Sequence, residues 1–292
     1  MNRRQGITRL GVLAVGSALV LTACAPTTST APTKDLEIVS WWTSGSEKQA
    51  FAVFTDAFKK AHPDVKLNEA AVSGGGGGNA RVVLAERLIS GNPPDVFQTF
   101  PGGALTAYEA ANQVTDVSDV YDDAMTKNLP PVILEGLTVN GKQYGVPTGS
   151  HRGNVLFYNK SALAKPGIST PGATLDEWLA DLDKLTAANV TPLCLGAKDA
   201  FTTPALFENI LLSVVGEAGW KAIQQDRFDW GSAQVRQSLD AFGTALKNAD
   251  PESAALSWDA AAAKLAQGGC AYLTMNDSAY GELLKDGAKP DV

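Results

Sequence analysis

The chain has 292 residues, a formal net charge of −7 and 19% charged residues, and its isoelectric point lies near 4.9. No run of Lys or Arg follows the N-terminal segment, which argues against a nucleic-acid partner. With two histidines, His62 and His151, a histidine-based metal site is poorly supported, and we predict no cofactor. The length beyond residue 35 suits one large or two medium domains.

The N-terminal segment has the composition of a signal peptide. Its first nine residues contain three arginines, and an apolar run follows at residues 10–21. The run is shorter than the ~20 residues of a membrane-spanning helix, although an uncleaved anchor stays the alternative. Leu21-Thr22-Ala23-Cys24 then matches the lipobox of bacterial lipoproteins, in which the cysteine becomes the lipidated first residue. We therefore predict a lipoprotein signal peptide at residues 1–23.

A tether is predicted after the signal peptide. Residues 24–35 contain the lipidated Cys24 and the stretch APTTSTAPT, which is rich in Pro, Ser and Thr and has no apolar periodicity. We expect the protein to lie at the outer face of the bacterial cytoplasmic membrane, at the cell surface or in the periplasm. Lipid would be its sole attachment to the membrane.

Two further cysteines remain once Cys24 is assigned to lipid. Cys194 and Cys270 form an even pair in an oxidising compartment, where a disulfide is possible. Cysteine is also often a small buried residue, and the sequence does not give the separation of the two. The bridged and the unbridged state are both open.

The first half of the chain alternates apolar strands with amphipathic helices. Phe51, Phe54 and Phe58 recur at helical spacing, and His62-Pro63 ends that helix. The predicted elements are strands at 36–42, 65–72 and 95–99, with helices at 47–61 and 80–90. This β-α-β-α-β order is typical of an open α/β sheet, which binds ligands beyond the carboxyl ends of its strands.

The second half of the chain repeats this α/β alternation. VNGKQYGVP at residues 139–147 predicts a hairpin with an Asn-Gly turn. The passage 147–154 is the predicted crossing, so that a first lobe spans residues 36–148 and a second lobe residues 149–292. The predicted elements of the second lobe are strands at 155–160, 192–196 and 270–275, with helices at 175–188, 204–215, 233–247 and 259–266.

A run of five glycines stands between the second strand and the second helix. Glycines let backbone N–H groups surround an anion, so Ser73 to Asn79 could be a phosphate loop. The phosphate-loop pattern needs Gly-Lys-Ser/Thr at its end, and Asn79-Ala80-Arg81 follows instead. We therefore predict a flexible strand-to-helix loop.

Several motifs together resemble those of one protein family. The chain resembles the extracellular solute-binding proteins of carbohydrate ABC importers, and most closely their glucose/galactose/mannose-binding branch. The motifs are SWW with a following Glu, NPPDVFQ, NGKQYGVP, HRGNVLFYNK and LSWDAAAAKLAQGGCAYLTMND. The resemblance implies an α/β, two-lobed periplasmic-binding-protein-like fold of type II.

The resemblance also implies a function and a length. The protein would capture a monosaccharide such as glucose, galactose or mannose between its lobes and deliver it to the transmembrane permease subunits of an ABC importer. It would be a monomer and not an enzyme. Members of the family run on for roughly another hundred residues, so we expect a chain that is incomplete at its C-terminus and binds sugar weakly or not at all by itself.

Four candidate ligand residues lie in the first lobe. A sugar ring has apolar faces and a polar rim, which suit flat aromatic rings and planar polar groups. Trp41 and Trp42 point to opposite sides of a strand, so one would stack on sugar while the other packs; burial of both is the alternative. Glu47 either caps its helix with Ser44 or binds hydroxyls, as the resemblance implies. Gln98 can bind hydroxyls or be a satisfied strand-edge amide.

Four further candidates lie in the second lobe. His151 adjoins Arg152, whose guanidinium could bind two hydroxyls or hold the hinge through a carboxylate. Trp258 opens a helix and could reach the cleft or pack in a core; the resemblance favours the ligand. Asp277 follows the last strand and is either a hydroxyl acceptor or a turn former. The other tryptophans, Trp178, Trp220 and Trp230, are predicted to be packing residues.

One departure and two rival functions complete the prediction. Phe100 stands where the resembled proteins often carry a polar or basic residue, which favours an altered sugar preference. Glu47 with Asp277 could instead be the carboxylate pair of a glycoside hydrolase. A lipid-anchored interaction protein is the third class, but the sequence contains no internal repeat.

Overall fold

The computed structural model describes residues 35–289. The predicted signal peptide, Cys24 and nearly all of the tether lie outside these residues. Asp35, predicted to end the tether, instead begins the first strand. The first-lobe elements are β1 Asp35–Ser40, α1 Gly45–Ala61, β2 Lys66–Ala71, α2 Gly78–Ile89, β3 Val96–Phe97, α3 Gly103–Ala110, α4 Asp123–Asn128, α5 Pro131–Leu137, β4 Thr138–Val139 and β5 Lys142–Gln143.

The first sheet is parallel and has the strand order β2-β1-β3. Strand β1 is central, and its burial increases along the strand, so that Val39 and Ser40 at its carboxyl end are buried on both faces of the sheet. Helix α1 starts behind the extended Ser44, carries Glu47 in its first turn and Lys59 in its last, as the helix dipole favours. The predicted β-α-β-α-β order is confirmed, and the strand and helix ends differ by about two residues.

Three short helices and a hairpin complete the first half. Asn140 and Gly141 both have positive φ, at 51° and 79°, which is the conformation that an Asn-Gly hairpin turn requires. Leu105 from α3, Leu137 from α5 and Val139 from β4 pack together in a small core. Helices α3, α4 and α5 were not predicted, because they are short and carry no sustained periodicity.

The second sheet is mixed and has the strand order β6-β8-β7, with β6 antiparallel and β7 parallel to the central β8. Its largest core lies under the sheet and includes Tyr272, Leu182 and Leu206. The elements are β6 Val155–Tyr158, α6 Lys160–Ala164, α7 Leu175–Ala187, β7 Leu193–Cys194, α8 Thr202–Gln224, α9 Ala233–Lys247, α10 Trp258–Ala266, β8 Tyr272–Met275 and α11 Ser278–Lys285.

Helix α8 is interrupted at Gly216, where φ is 63° and ψ −173°. The predicted helix end at Val215 marks this break, but the chain resumes helical geometry and continues to Gln224. Glycine is the residue that adopts such a conformation without a steric penalty.

The three tryptophans predicted to pack behave differently. Trp178 is buried and meets Tyr272 edge-on, with ring centroids 6.2 Å apart. Trp220 is partly buried in the second part of α8. The prediction is wrong for Trp230, which is 55% exposed and contacts Phe228 by one edge.

Cys194 and Cys270 are joined by a disulfide in the structure, with their Cα atoms 5.7 Å apart. Both residues are fully buried in a core that also contains Met275 and Leu283. The disulfide joins Cys194 in β7 to Cys270, which lies two residues before β8. Helices α8, α9 and α10 lie between the two cysteines in the sequence.

Residues 35–289 belong to one compact unit by their contacts. Each predicted lobe contains its own three-stranded sheet, and the boundary between residues 148 and 149 stays a prediction. Within residues 35–289, none of the helices has the length and apolarity to cross a membrane.

Candidate functional site

The carboxyl ends of β1 and β3 meet at one edge of the first sheet, as predicted. There the side-chain oxygen of Gln98 accepts hydrogen bonds from Ser40 Oγ at 2.8 Å and from the Trp41 N–H at 3.3 Å. The Trp42 N–H donates in turn to Ser40 Oγ at 3.1 Å. The amide oxygen of Gln98 therefore holds the chain that carries both indoles, and a ligand contact by Gln98 stays a prediction.

The two adjacent tryptophans lie in different environments. Trp41 is only 7% exposed, and its ring lies 5.4 Å from that of Phe100. A Cβ atom on Gly77 would come within 2.7 Å of the Trp41 ring, so the backbone covers that face of the indole. Trp42 is partly exposed and meets His151 edge-on, with ring centroids 6.4 Å apart. Trp41 is thus the packed ring and Trp42 the accessible one.

Phe100 covers a second part of Trp41 and is itself 46% exposed. The guanidinium carbon of Arg81 lies 5.8 Å from the Phe100 ring centroid, within the range of a cation–π contact. The aromatic ring of Phe100, which departs from the pattern of the resembled proteins, thus packs on another aromatic ring.

His151, Arg152 and Asp277 form one hydrogen-bonded group. His151 Nδ1 lies 2.7 Å from Asp277 Oδ1, and the Arg152 N–H donates to Asp277 Oδ2 at 3.1 Å. The Asp277 N–H returns a bond to the Arg152 carbonyl at 3.1 Å. Arg152 thus contacts this carboxylate through its backbone and not through its guanidinium. His151 and Asp277 remain well exposed, with 43% and 44% of their side chains accessible.

Glu47 reaches this group from the first lobe. Its Oε1 accepts a hydrogen bond from Ser278 Oγ at 3.1 Å, and the same hydroxyl lies 3.5 Å from His151 Nδ1. Burial raises the pKa of Glu47 above its ordinary value, while the Ser278 hydrogen bond and the nearby His151 oppose this rise. The capping-box alternative is wrong, because the Ser44 side chain makes no cap hydrogen bond.

A second contact between the lobes lies beside Glu47. Glu282 of α11 is fully buried, and its Oε1 accepts the Ser46 N–H in the first turn of α1 at 2.5 Å. Its other oxygen pairs with Lys285 at 2.7 Å. Gly45 has φ of 57°, and a Cβ atom there would lie 1.5 Å from Glu282 Oε1. The carboxylate thus occupies the place that a side chain on residue 45 would need.

A third contact joins the five-glycine stretch to the second lobe. Residues 73–79, called the glycine loop here, present the Gly75 N–H to Asp199 Oδ1 at 3.1 Å. Asp199 Oδ2 accepts the Trp258 N–H at 2.8 Å, at the start of α10. The loop links β2 to α2 as predicted, but the anion at its backbone is a carboxylate of the same chain.

Trp258 packs in a core, which was the alternative to a position in the cleft. It is 4% exposed and packs with the disulfide, Ala261 and Leu265. The glycine loop lies over its outer edge, because a Cβ atom on Gly75 would be 2.9 Å from Trp258 Cδ1. The ring therefore presents no open face to the cleft.

The predicted residues thus divide into two sets. Trp42, Glu47, His151 and Asp277 come together through direct contacts, with Arg152 beside them, whereas Trp41, Gln98 and Trp258 support the surroundings. Sequence reasoning missed Ser278, Glu282 and Asp199. Each of these looks like an ordinary turn or helix-surface residue, and its partner is more than 100 residues away. Among residues 35–289, no cluster of His, Cys, Asp and Glu suitable for a metal ion was found.

Comparison with known proteins adds the family. The sequence model of the bacterial extracellular solute-binding protein family matches residues 42–292. The chain belongs to this family. An uncharacterized ABC transporter extracellular-binding protein of Pyrococcus horikoshii is 34% identical, and the match covers 100% of the chain and 68% of that relative. A probable sugar-binding periplasmic protein of Mesorhizobium japonicum is 29% identical, over 92% of the chain and 64% of the relative.

Solved structures of solute-binding proteins share the fold. A chitin oligosaccharide binding protein superposes with a TM-score of 0.76 at 23% identity, covering 87% of this chain and 64% of that one. At this identity the likeness shows the fold alone. The α/β, two-lobed solute-binding fold is thus confirmed, and the chain spans about two thirds of the length of these solute-binding proteins.

Proposed function

We propose that this solute-binding protein captures a sugar for an ABC importer, with Trp42 as the stacking ring. The observation that carries the proposal is the continuous group Trp42–His151–Asp277–Ser278–Glu47, which joins an accessible indole to two carboxylates from opposite lobes. The sugar-binding name of the Mesorhizobium relative supports it. A monosaccharide such as glucose, galactose or mannose is the proposed ligand.

The chemistry of the group suits a sugar. The apolar C–H face of a pyranose can lie on the Trp42 ring, while its hydroxyls donate to the carboxylates of Glu47 and Asp277. His151 and the Arg152 backbone already fix both oxygens of Asp277, so this acceptor is oriented before sugar arrives. Hydrogen bonds to charged groups contribute about 1.5–3 kcal/mol each, whereas micromolar binding corresponds to about −8 kcal/mol. Several such bonds in addition to the stacking ring are therefore needed to offset the cost of association.

The proposed mechanism is capture without bond cleavage. The lobes would close on the sugar, and the closed protein would dock on the transmembrane permease subunits as a monomer. The lipidated Cys24 and the tether would keep it at the outer membrane face. Gln98, Trp41 and Trp258 would act indirectly, by supporting the strand and loop that frame the cleft.

The test is isothermal titration of the full-length protein with glucose, galactose, mannose, xylose, cellobiose and a chitin disaccharide. We expect saturable 1:1 binding to at least one sugar, with affinity lowered about 10-fold or more in Trp42→Ala. Trp230→Ala is the matched control, because it removes an exposed indole outside the group. Equal affinities in both variants, absence of binding, or release of a cleaved sugar would each contradict the proposal.

A further inference from the structure

The glycine loop makes the third contact between the lobes, and hydrogen bonds hold it on both sides. We propose that it is a clasp, which Asp199 of the second lobe holds through the Gly75 N–H, and that its release is needed for the lobes to part. The effect on sugar affinity rests on the proposed function. The contact between the lobes does not depend on it.

The loop is fixed from the first-lobe side. Asn79 Nδ2 donates to the Ser73 carbonyl at 2.8 Å and closes the base of the loop. Arg81 Nη1 donates to the Gly76 carbonyl at 2.8 Å and holds its tip. Gly76 and Gly77 have φ of 63° and 71°, which glycine adopts readily. The loop therefore presents the Gly75 N–H group in a defined position.

The second-lobe side is equally fixed. Asp199 Oδ2 is bonded to the Trp258 N–H, and the Asp199 carbonyl accepts both the N–H and the hydroxyl of Thr202, each at 3.1 Å. Phe201 lies against the loop, since a Cβ atom on Gly76 would be within 2.8 Å of its ring. Both halves of the clasp are thus preorganised, and little ordering opposes their contact.

The absence of a side chain at Gly75 is what permits this contact. A Cβ atom there would lie 2.7 Å from Phe201 Cε1, 2.9 Å from Trp258 Cδ1 and 3.1 Å from Asp199 Cγ. Alanine at this position would keep the N–H group but force the two surfaces apart. Gly78 offers a matched control, because no atom lies within 4 Å of its added Cβ and its φ of −53° suits alanine.

The first arm of the test needs no ligand. Hydrogen exchange of the peptide that contains residues 73–79 is followed by mass spectrometry in the full-length protein and in Gly75→Ala, Asp199→Ala and Gly78→Ala. We expect one amide to exchange about 10-fold faster in the first two variants and at the wild-type rate in Gly78→Ala, because a bond from N–H to carboxylate is lost. Equal exchange in all four proteins would overturn the clasp.

The second arm measures the rate at which the protein releases the sugar identified by titration. Loss of the clasp lowers the population of the closed state, so Gly75→Ala should release sugar about 10-fold faster than Gly78→Ala. Equal release rates in these two variants would overturn the role of the clasp in retention. A protein that binds no sugar but shows the expected exchange pattern would refute the proposed function and support the contact between the lobes.

Discussion

Replacement of Glu282 by alanine should be among the most costly single changes at the contact between α1 and α11. Glu282 is fully buried, accepts the Ser46 N–H and pairs with Lys285. Alanine would leave the Ser46 N–H near the N-terminus of a 17-residue helix without its charged acceptor. Because a buried hydrogen bond to a charged group is lost together with a favourable helix-dipole interaction, we expect a loss of about 3 kcal/mol.

The assay is urea unfolding of the full-length protein followed by circular dichroism, with thermal unfolding as a second measurement. A loss of about 3 kcal/mol corresponds to a Tm lowered by about 6–12 °C in a domain of this size. Glu282→Gln keeps an acceptor oxygen for the Ser46 N–H and should lose about 1 kcal/mol.

Glu217→Ala is the matched control for Glu282→Ala. Glu217 also pairs with a lysine one helical turn away, Lys221, but its side chain is 81% exposed. A fully exposed pair of this kind contributes little to stability, because solvent screens it. If Glu282→Ala were no more destabilising than Glu217→Ala, the buried carboxylate would not stabilise the α1–α11 contact, and the reasoning would be refuted.

Two further predictions concern pH and the disulfide. The folded-state pKa of Glu47 is raised, so its contribution to stability is present below the unfolded pKa and is lost as pH rises through the folded pKa. Glu47→Gln should therefore increase the free energy of unfolding at pH 7 but not at pH 4. The same substitution should weaken sugar binding. An identical change in the free energy of unfolding at both pH values, measured by urea titration, would contradict the prediction. Replacing Cys194 and Cys270 by serine should cost ~4 kcal/mol for a 76-residue separation, and denaturant midpoints unchanged from the oxidised wild type would exclude a stabilising bridge.

Much of the fold was predictable because its signals are local. Helix α9 follows its periodicity over Ala233–Lys247 as predicted, and the Asn140-Gly141 pair forms the predicted turn. The short α3, α4 and α5 were missed, since six to eight residues contain too few turns for a periodic pattern.

The contacts between the lobes could not be predicted from local sequence. Glu282 meets Ser46 across 236 residues, and Asp199 meets Gly75 across 124. Neither acid differs in local pattern from an exposed one, and only the fold brings each to a backbone N–H. For Trp41 and Trp42, strand alternation predicts that the two rings lie on opposite sides of the chain. It does not predict which of the two rings is covered by neighbouring residues.

The unequal exposure of the indoles has a practical consequence for fluorescence. Of the six tryptophans, Trp41, Trp178 and Trp258 are buried, Trp230 is 55% exposed, and Trp220 and Trp42 are partly exposed, Trp42 in the candidate site. Collisional quenchers such as acrylamide act on accessible rings, so Trp230 dominates the background of any such measurement. A protein with Trp220→Phe and Trp230→Phe would turn Trp42 into a built-in optical probe, whose shielding from acrylamide reports occupancy of the site without an added dye.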